Sequence, residues 1–152
     1  MNILLKSAVF GLFAFLLSSM VFAGDKGTPE EAVALVKKAE AYLKANGKEK
    51  AFTAFSDQKG EFIDRDLYIY AANMSGVALA HGANARIVGK SMLELKDADG
   101  KFFVKNLIEI ANTKGSGWVD YKWPNPVTKV IEQKSTYLEK VGDVMILCGV
   151  YK

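Results

Sequence analysis

Apolar residues recur at helical spacing along the first ordered-looking stretch: Ala32, Leu35, Val36, Ala39, Tyr42 and Leu43, with Lys37, Lys38, Glu40 and Lys44 opposite. Thr28-Pro29-Glu30-Glu31 supplies the start, with a capping threonine, a proline suited to the first helical position and a glutamate that completes a capping box. Asn46-Gly47 ends or kinks this helix, and Phe52 and Phe55, three apart, predict a continuation to Phe55. The polar run 57–66 reads as a loop, with Phe62 plugging it onto the core. Leu67 to Ala72 predicts a strand through Tyr68, Ile69 and Tyr70. Asn73-Met74-Ser75-Gly76 predicts a turn, and Val77 to His81 returns as the second arm of a hairpin.

Two glycines, Gly82 and Gly89, mark the next stretch as a loop, and Ser91 to Glu94 suggests a short helical turn. After a turn at Asp97-Ala98-Asp99-Gly100, Val104, Leu107, Ile108 and Ala111 form the stripe of a helix over about 101–113. Strands follow at 118–123, 128–141 and 143–151, the last two joined by a tight turn at Gly142-Asp143. In the final strand Val144, Ile146, Cys148 and Val150 share one face, and Met145, Leu147 and Tyr151 the other. Both faces are apolar, so both need covering. The N-terminal helix serves one side and the segment 82–113 the other, with room for a pocket between that segment and the sheet.

The pattern before residue 24 is different. One lysine, an apolar run over 7–17, a break at Ser18-Ser19-Met20 and the small residues of Val21-Phe22-Ala23 give the layout of a signal peptide cleaved after Ala23. A retained membrane anchor is the alternative, against which the run is short. The expectation is a leader over 1–23 and one domain over 24–152, exported to the periplasm or secreted, with no membrane span after cleavage. The formal charge of +3 is scattered singly along the chain, which argues against nucleic acid. Cys148 is the sole cysteine, so no intrachain disulfide forms, and it reads as a small core residue.

Candidate chemistry is sparse. His81 is the only histidine, too few for a metal cluster or a triad. It either serves an anionic ligand or makes a structural hydrogen bond to the adjacent loop. Asp97-Ala98-Asp99-Gly100 lacks the later ligands of a calcium loop and reads as a turn. No metal, cofactor or catalytic constellation is expected. Both tryptophans fall in Trp118-Val119-Asp120-Tyr121-Lys122-Trp123, where Tyr121 and Trp123 share a face and Trp118 points the other way. Tyr68 and Tyr70 likewise share a face. Lys134 sits among apolar neighbours in a strand, and Arg86 in the glycine-flanked loop; either suits a carboxylate, though a solvated place is the plainer reading of Arg86.

Several stretches resemble a known family: Tyr68-Ile69-Tyr70; Leu79-Ala80-His81; Val88-Gly89-Lys90-Ser91; residues 95–101; Phe103-Val104; residues 115–126 with their tryptophan–proline run; Lys134 to Tyr137; and Cys148 to Tyr151. In that order they resemble a single Cache domain of the second type, a bacterial extracytoplasmic sensor module. The resemblance implies an α+β fold: a PAS-like antiparallel sheet of about five strands, a long N-terminal helix on one face and a ligand pocket on the other. It implies small organic ligands, often short carboxylates, and a signalling partner such as a membrane receptor or histidine kinase. Gly82 departs from the proline common after the histidine, and Asn73 from the aspartate that often opens the hairpin turn.

The expected function is therefore a non-catalytic small-molecule sensor. Its candidate ligand-binding residues are Tyr68, Tyr70, His81, Trp118, Tyr121, Trp123 and Lys134. An interaction or structural protein that keeps the fold without a ligand is the alternative. The long helix also offers a surface for a homodimer, although the same stripe is needed to cover the sheet.

Overall fold

The computed structural model describes residues 26–152. The expected leader over 1–23 lies outside the described residues. Helix α1 (Pro29–Asn46) begins with the expected capping box, in which Thr28 and Glu31 satisfy each other's backbone N–H groups. A break at Gly47 separates it from α2 (Lys48–Ser56). The short pair β1 (Ile63–Asp64) and β2 (Leu67–Tyr68) follows, then β3 (Tyr70–Asn73), β4 (Ala78–His81), α3 (Phe103–Thr113), β5 (Ser116–Pro124), β6 (Ile131–Val141) and β7 (Val144–Tyr151).

Five strands form one antiparallel sheet in the order β4-β3-β7-β6-β5, matching the expected architecture. The sheet is buried on both faces. On one, α1 and α2 set Val36, Leu43 and Phe55 against Val144, Ile146 and Cys148, with Phe62 plugged in as expected. On the other, α3 sets Phe103, Val104, Leu107 and Ala111 against Met145, Leu147, Leu138 and Val119. The alternation read from β7 therefore assigns the two layers correctly. Gly142 takes φ 63°, a left-handed value that suits glycine in the tight β6–β7 turn.

The structure revises three local expectations. The run 67–72 does not stay in one ladder: Leu67 and Tyr68 pair with β1, while Tyr70 onward pairs with β4 and β7. Ser91 forms an extended bridge to Val77 instead of opening a helical turn. A single turn of 3-10 helix, Ala85–Ile87, lies inside the expected loop.

Asp97 uses its carboxylate to tie its turn together. One carboxylate oxygen accepts the N–H groups of Asp99 and Lys101 at 2.9 and 2.8 Å, and the other accepts that of Lys122 at 3.0 Å. These bonds hold the carboxyl below its ordinary range against the opposing effect of desolvation. They fasten the entrance of α3 to β5, which fixes the helix over the sheet.

Candidate functional site

Between α3, the 82–92 segment and the sheet lies a cavity lined by aromatic rings, a few aliphatic side chains, His81, Thr136 and Lys134. The centre of a water-sized sphere has about 20 Å³ to move in. That is somewhat more than the ~10–15 Å³ a single water needs. The polar groups come from register. Tyr121 of β5 stands opposite Lys134 of β6, which stands opposite Tyr151 of β7, so the three share a face. Tyr70 of β3 is likewise opposite His81 of β4 and Leu147 of β7.

Lys134 is the centre of the site and is only 2% exposed. Its Nζ donates to Tyr68 OH at 2.7 Å and to Tyr151 OH at 3.1 Å. The same ammonium lies 4.1 and 4.5 Å from the centroids of those two rings. The two phenols meet at 3.3 Å, and Tyr151 OH donates onward to the carbonyl of Pro124 at 2.9 Å. Among the described residues Lys134 has no ion pair within 4 Å and no carboxylate lines the cavity. Burial therefore brings its pKa down to about 7, with Asp66 outside the lining offering a smaller opposing pull.

The room for this side chain comes from Gly149. A Cβ there would overlap Lys134 Cε and Thr136 Oγ1, so glycine lets the lysine stem lie across β7. Thr136 donates to Tyr121 OH at 2.9 Å, which leaves the phenol's own proton for another acceptor. Tyr70 OH is buried and has no hydrogen-bond partner among the described residues, an uncommon state for a buried hydroxyl.

His81 meets the structural half of its expectation. Nδ1 accepts the N–H groups of Ala83 at 3.1 Å and Asn84 at 2.9 Å. Nδ1 is therefore unprotonated and Nε2 carries the ring's hydrogen as the remaining donor. Burial first, and the Lys134 charge second, hold the ring neutral by lowering its pKa to about 3. Gly82 also has a role that proline could not fill, because its N–H donates to Ile69 O at 2.9 Å.

Six of the seven sequence candidates, Tyr68, Tyr70, His81, Tyr121, Trp123 and Lys134, meet around this cavity. Trp118 does not. It lies on the opposite face of β5, 38% exposed, with its ring 5.3 Å from that of Tyr137. Sequence reasoning missed Tyr151, Thr136 and Phe103. Phe103 stacks on Tyr121 at 4.2 Å and 13° and packs at 5.3 Å from Trp123, forming an aromatic wall with them. Thr136, two residues from Lys134 on its strand, was the one signalled by period-two alternation. Arg86 is in the 3-10 turn and does not line the cavity.

The cavity presents donors and no acid. Lys134 Nζ, the Tyr70 and Tyr121 hydroxyls and His81 Nε2–H are suited to oxygen acceptors of an anion. Beside them, rings and aliphatic groups such as Met92, Val104 and Leu147 suit a short apolar part. Among the described residues no group of three acidic, histidine or cysteine side chains could hold a metal ion, and no helix is long and apolar enough to cross a membrane.

Comparison with known proteins agrees with this fold. The sequence profile described as "Cache domain" matches residues 30–151. The methyl-accepting chemotaxis protein McpP of Pseudomonas putida is 26% identical over 90 residues, which take in 58% of this chain and 16% of that protein. A methyl-accepting chemotaxis protein from Vibrio parahaemolyticus superposes with a TM-score of 0.70 at 21% identity, over 80% of this chain and 86% of that one. A Cache chemosensory domain whose structure is described as the basis for carboxylic acid recognition gives a TM-score of 0.69 at 22% identity, over 80% and 91% of the two chains. At these identities the structural likeness speaks to the fold.

Proposed function

The chain belongs to the Cache domain family, and we propose that its cavity holds a small organic anion, such as a short carboxylate, as the input of an extracytoplasmic sensor. One observation carries the reading: among the described residues, a buried lysine without a carboxylate partner shares a cavity with a buried, unpartnered hydroxyl. An anion would satisfy both groups, and each interaction would gain from the excluded water. The relative whose description names carboxylic acid recognition supports the same class of ligand.

In this reading Lys134 and Tyr70 take the charged end of the ligand, with His81 Nε2–H as a further donor. Phe103, Tyr121 and Trp123 enclose the organic part. The cavity is small, so a ligand of several atoms has to move its rim. Met92, unbranched and flexible, and the 82–90 segment are the parts able to yield. Occupancy thus becomes a displacement on the outer surface. A partner such as a membrane receptor or histidine kinase reads that displacement, and the chain itself performs no catalytic step. The chemotaxis name of the McpP relative supports a signalling context.

A thermal-shift screen tests this. Acetate, propionate and lactate are compared with glycine, ethylamine and a purine. At least one of the acids should raise the melting temperature with dose, and ethylamine should not, because a ligand selective for the folded state stabilises by mass action. Stabilisation by the amine alone would overturn the anion reading. A flat response to every compound would point to a fold kept for protein contacts.

A further inference from the structure

We propose that above neutral pH the cavity takes up its anion together with a proton on Lys134, so that the species it registers there is in net terms the undissociated acid. This rests on the reading of the cavity as an anion site. The geometry supplies the reason. The amine is buried against two phenols and two ring faces, and no carboxylate among the described residues lines the cavity. An anion entering the cavity provides the missing counter-charge and makes the ammonium the favoured form. Binding and protonation are then linked.

The groups facing Lys134 single it out as the proton's destination. Tyr68 comes from β2, Tyr70 from β3, His81 from β4, Tyr121 from β5 and Tyr151 from β7, with the Cys148 thiol of β7 packed in the layer behind the sheet; α3 and the 82–92 segment contribute apolar side chains. Burial pushes the four phenols above their ordinary range and the thiol up to about 12. His81 is held near 3. None of these groups changes charge between pH 6 and 9. Lys134, at about 7, does. Asp66 is buried outside the cavity lining, and one of its oxygens accepts the Gly27 N–H at 2.7 Å. A short carboxylic acid stays ionised throughout this range, because carboxyls titrate near ~4. The pH dependence of binding therefore belongs to the protein.

Two measurements on the full chain test the proposal. In the first, lysine Cε resonances are followed by NMR in the free protein. One signal, absent from Lys134→Met, should titrate near neutrality while the others titrate near ~10.4. If the Lys134 signal moves with the rest, the proposal falls whatever the ligand. In the second, propionate is titrated calorimetrically at pH 6 and pH 9, and in phosphate and Tris at pH 8.5. Affinity should weaken roughly 100-fold from pH 6 to pH 9, with uptake of about one proton per site at pH 8.5. Binding whose affinity is flat with pH and whose heat is indifferent to buffer would overturn the coupling and leave the anion site standing. If neither propionate nor acetate binds, both readings fall together.

Discussion

Replacing Lys134 by methionine should make the ligand-free protein more stable near neutrality, by an amount that shrinks as pH rises. Unfolded, the lysine titrates near ~10.4. Folded, burial brings it to about 7. Between these two values the unfolded chain holds more protons than the folded one, so stability rises with pH through that window. Below about 7 both states are protonated, and the contribution is flat at its least favourable value. Integrated from pH 7 to pH 9, the gain amounts to about 2 kcal/mol, which methionine at this position would lack. The substitution itself should be mild. Methionine is of similar length, Tyr68 OH still meets Tyr151 OH, and Tyr151 still donates to Pro124 O. No phenol is stranded. The assay is guanidinium unfolding of both proteins at pH 7, 8 and 9 without ligand. His81 titrates below this window, and the high thiol of Cys148 is common to both proteins. The two stability curves should converge by about 2 kcal/mol across the range. Parallel curves would refute the claim that Lys134 is desolvated, and with it the main reason for reading the cavity as an anion site.

Gly149→Ala should place a methyl group against Lys134 Cε and Thr136 Oγ1, costing about 1–3 kcal/mol by overpacking and weakening anion binding; denaturant midpoints and calorimetry would show both effects. Tyr70→Phe should leave stability unchanged or raise it slightly, because the deleted hydroxyl has no partner, while propionate affinity falls several-fold, within the ~0.5–1.5 kcal/mol of a typical hydrogen bond. A loss of stability without a loss of affinity would assign that hydroxyl to the fold.

The layers of the fold were legible because each element carried its own signal. Thr28, Pro29 and Glu31 mark the start of α1, and the alternation in β7 separates the two cores. The site was legible where a residue was out of place for its strand, as Lys134 is. Tyr151 and Phe103 were missed for a different reason. Tyr151 reaches Lys134 only because β6 and β7 pair in one particular register, and Phe103 reaches Tyr121 only because α3 crosses β5 at that point. Both depend on how distant segments meet, which periodicity along one segment does not encode. Ser91 was misread for a related cause: its extended form is imposed by the bridge to Val77, a long-range partner that outweighs local preference.

Cys148 gives the domain a practical use. It is the chain's sole cysteine, it is buried, and burial keeps its thiol protonated far above neutral pH, so it stays inert to alkylating reagents. A cysteine introduced at exposed Val88, within the segment that borders the cavity, would be the one thiol a maleimide dye could reach. The native chain is thus already a frame for a single-label fluorescent reporter, with no background thiol to engineer away and a dye placed where the rim would move.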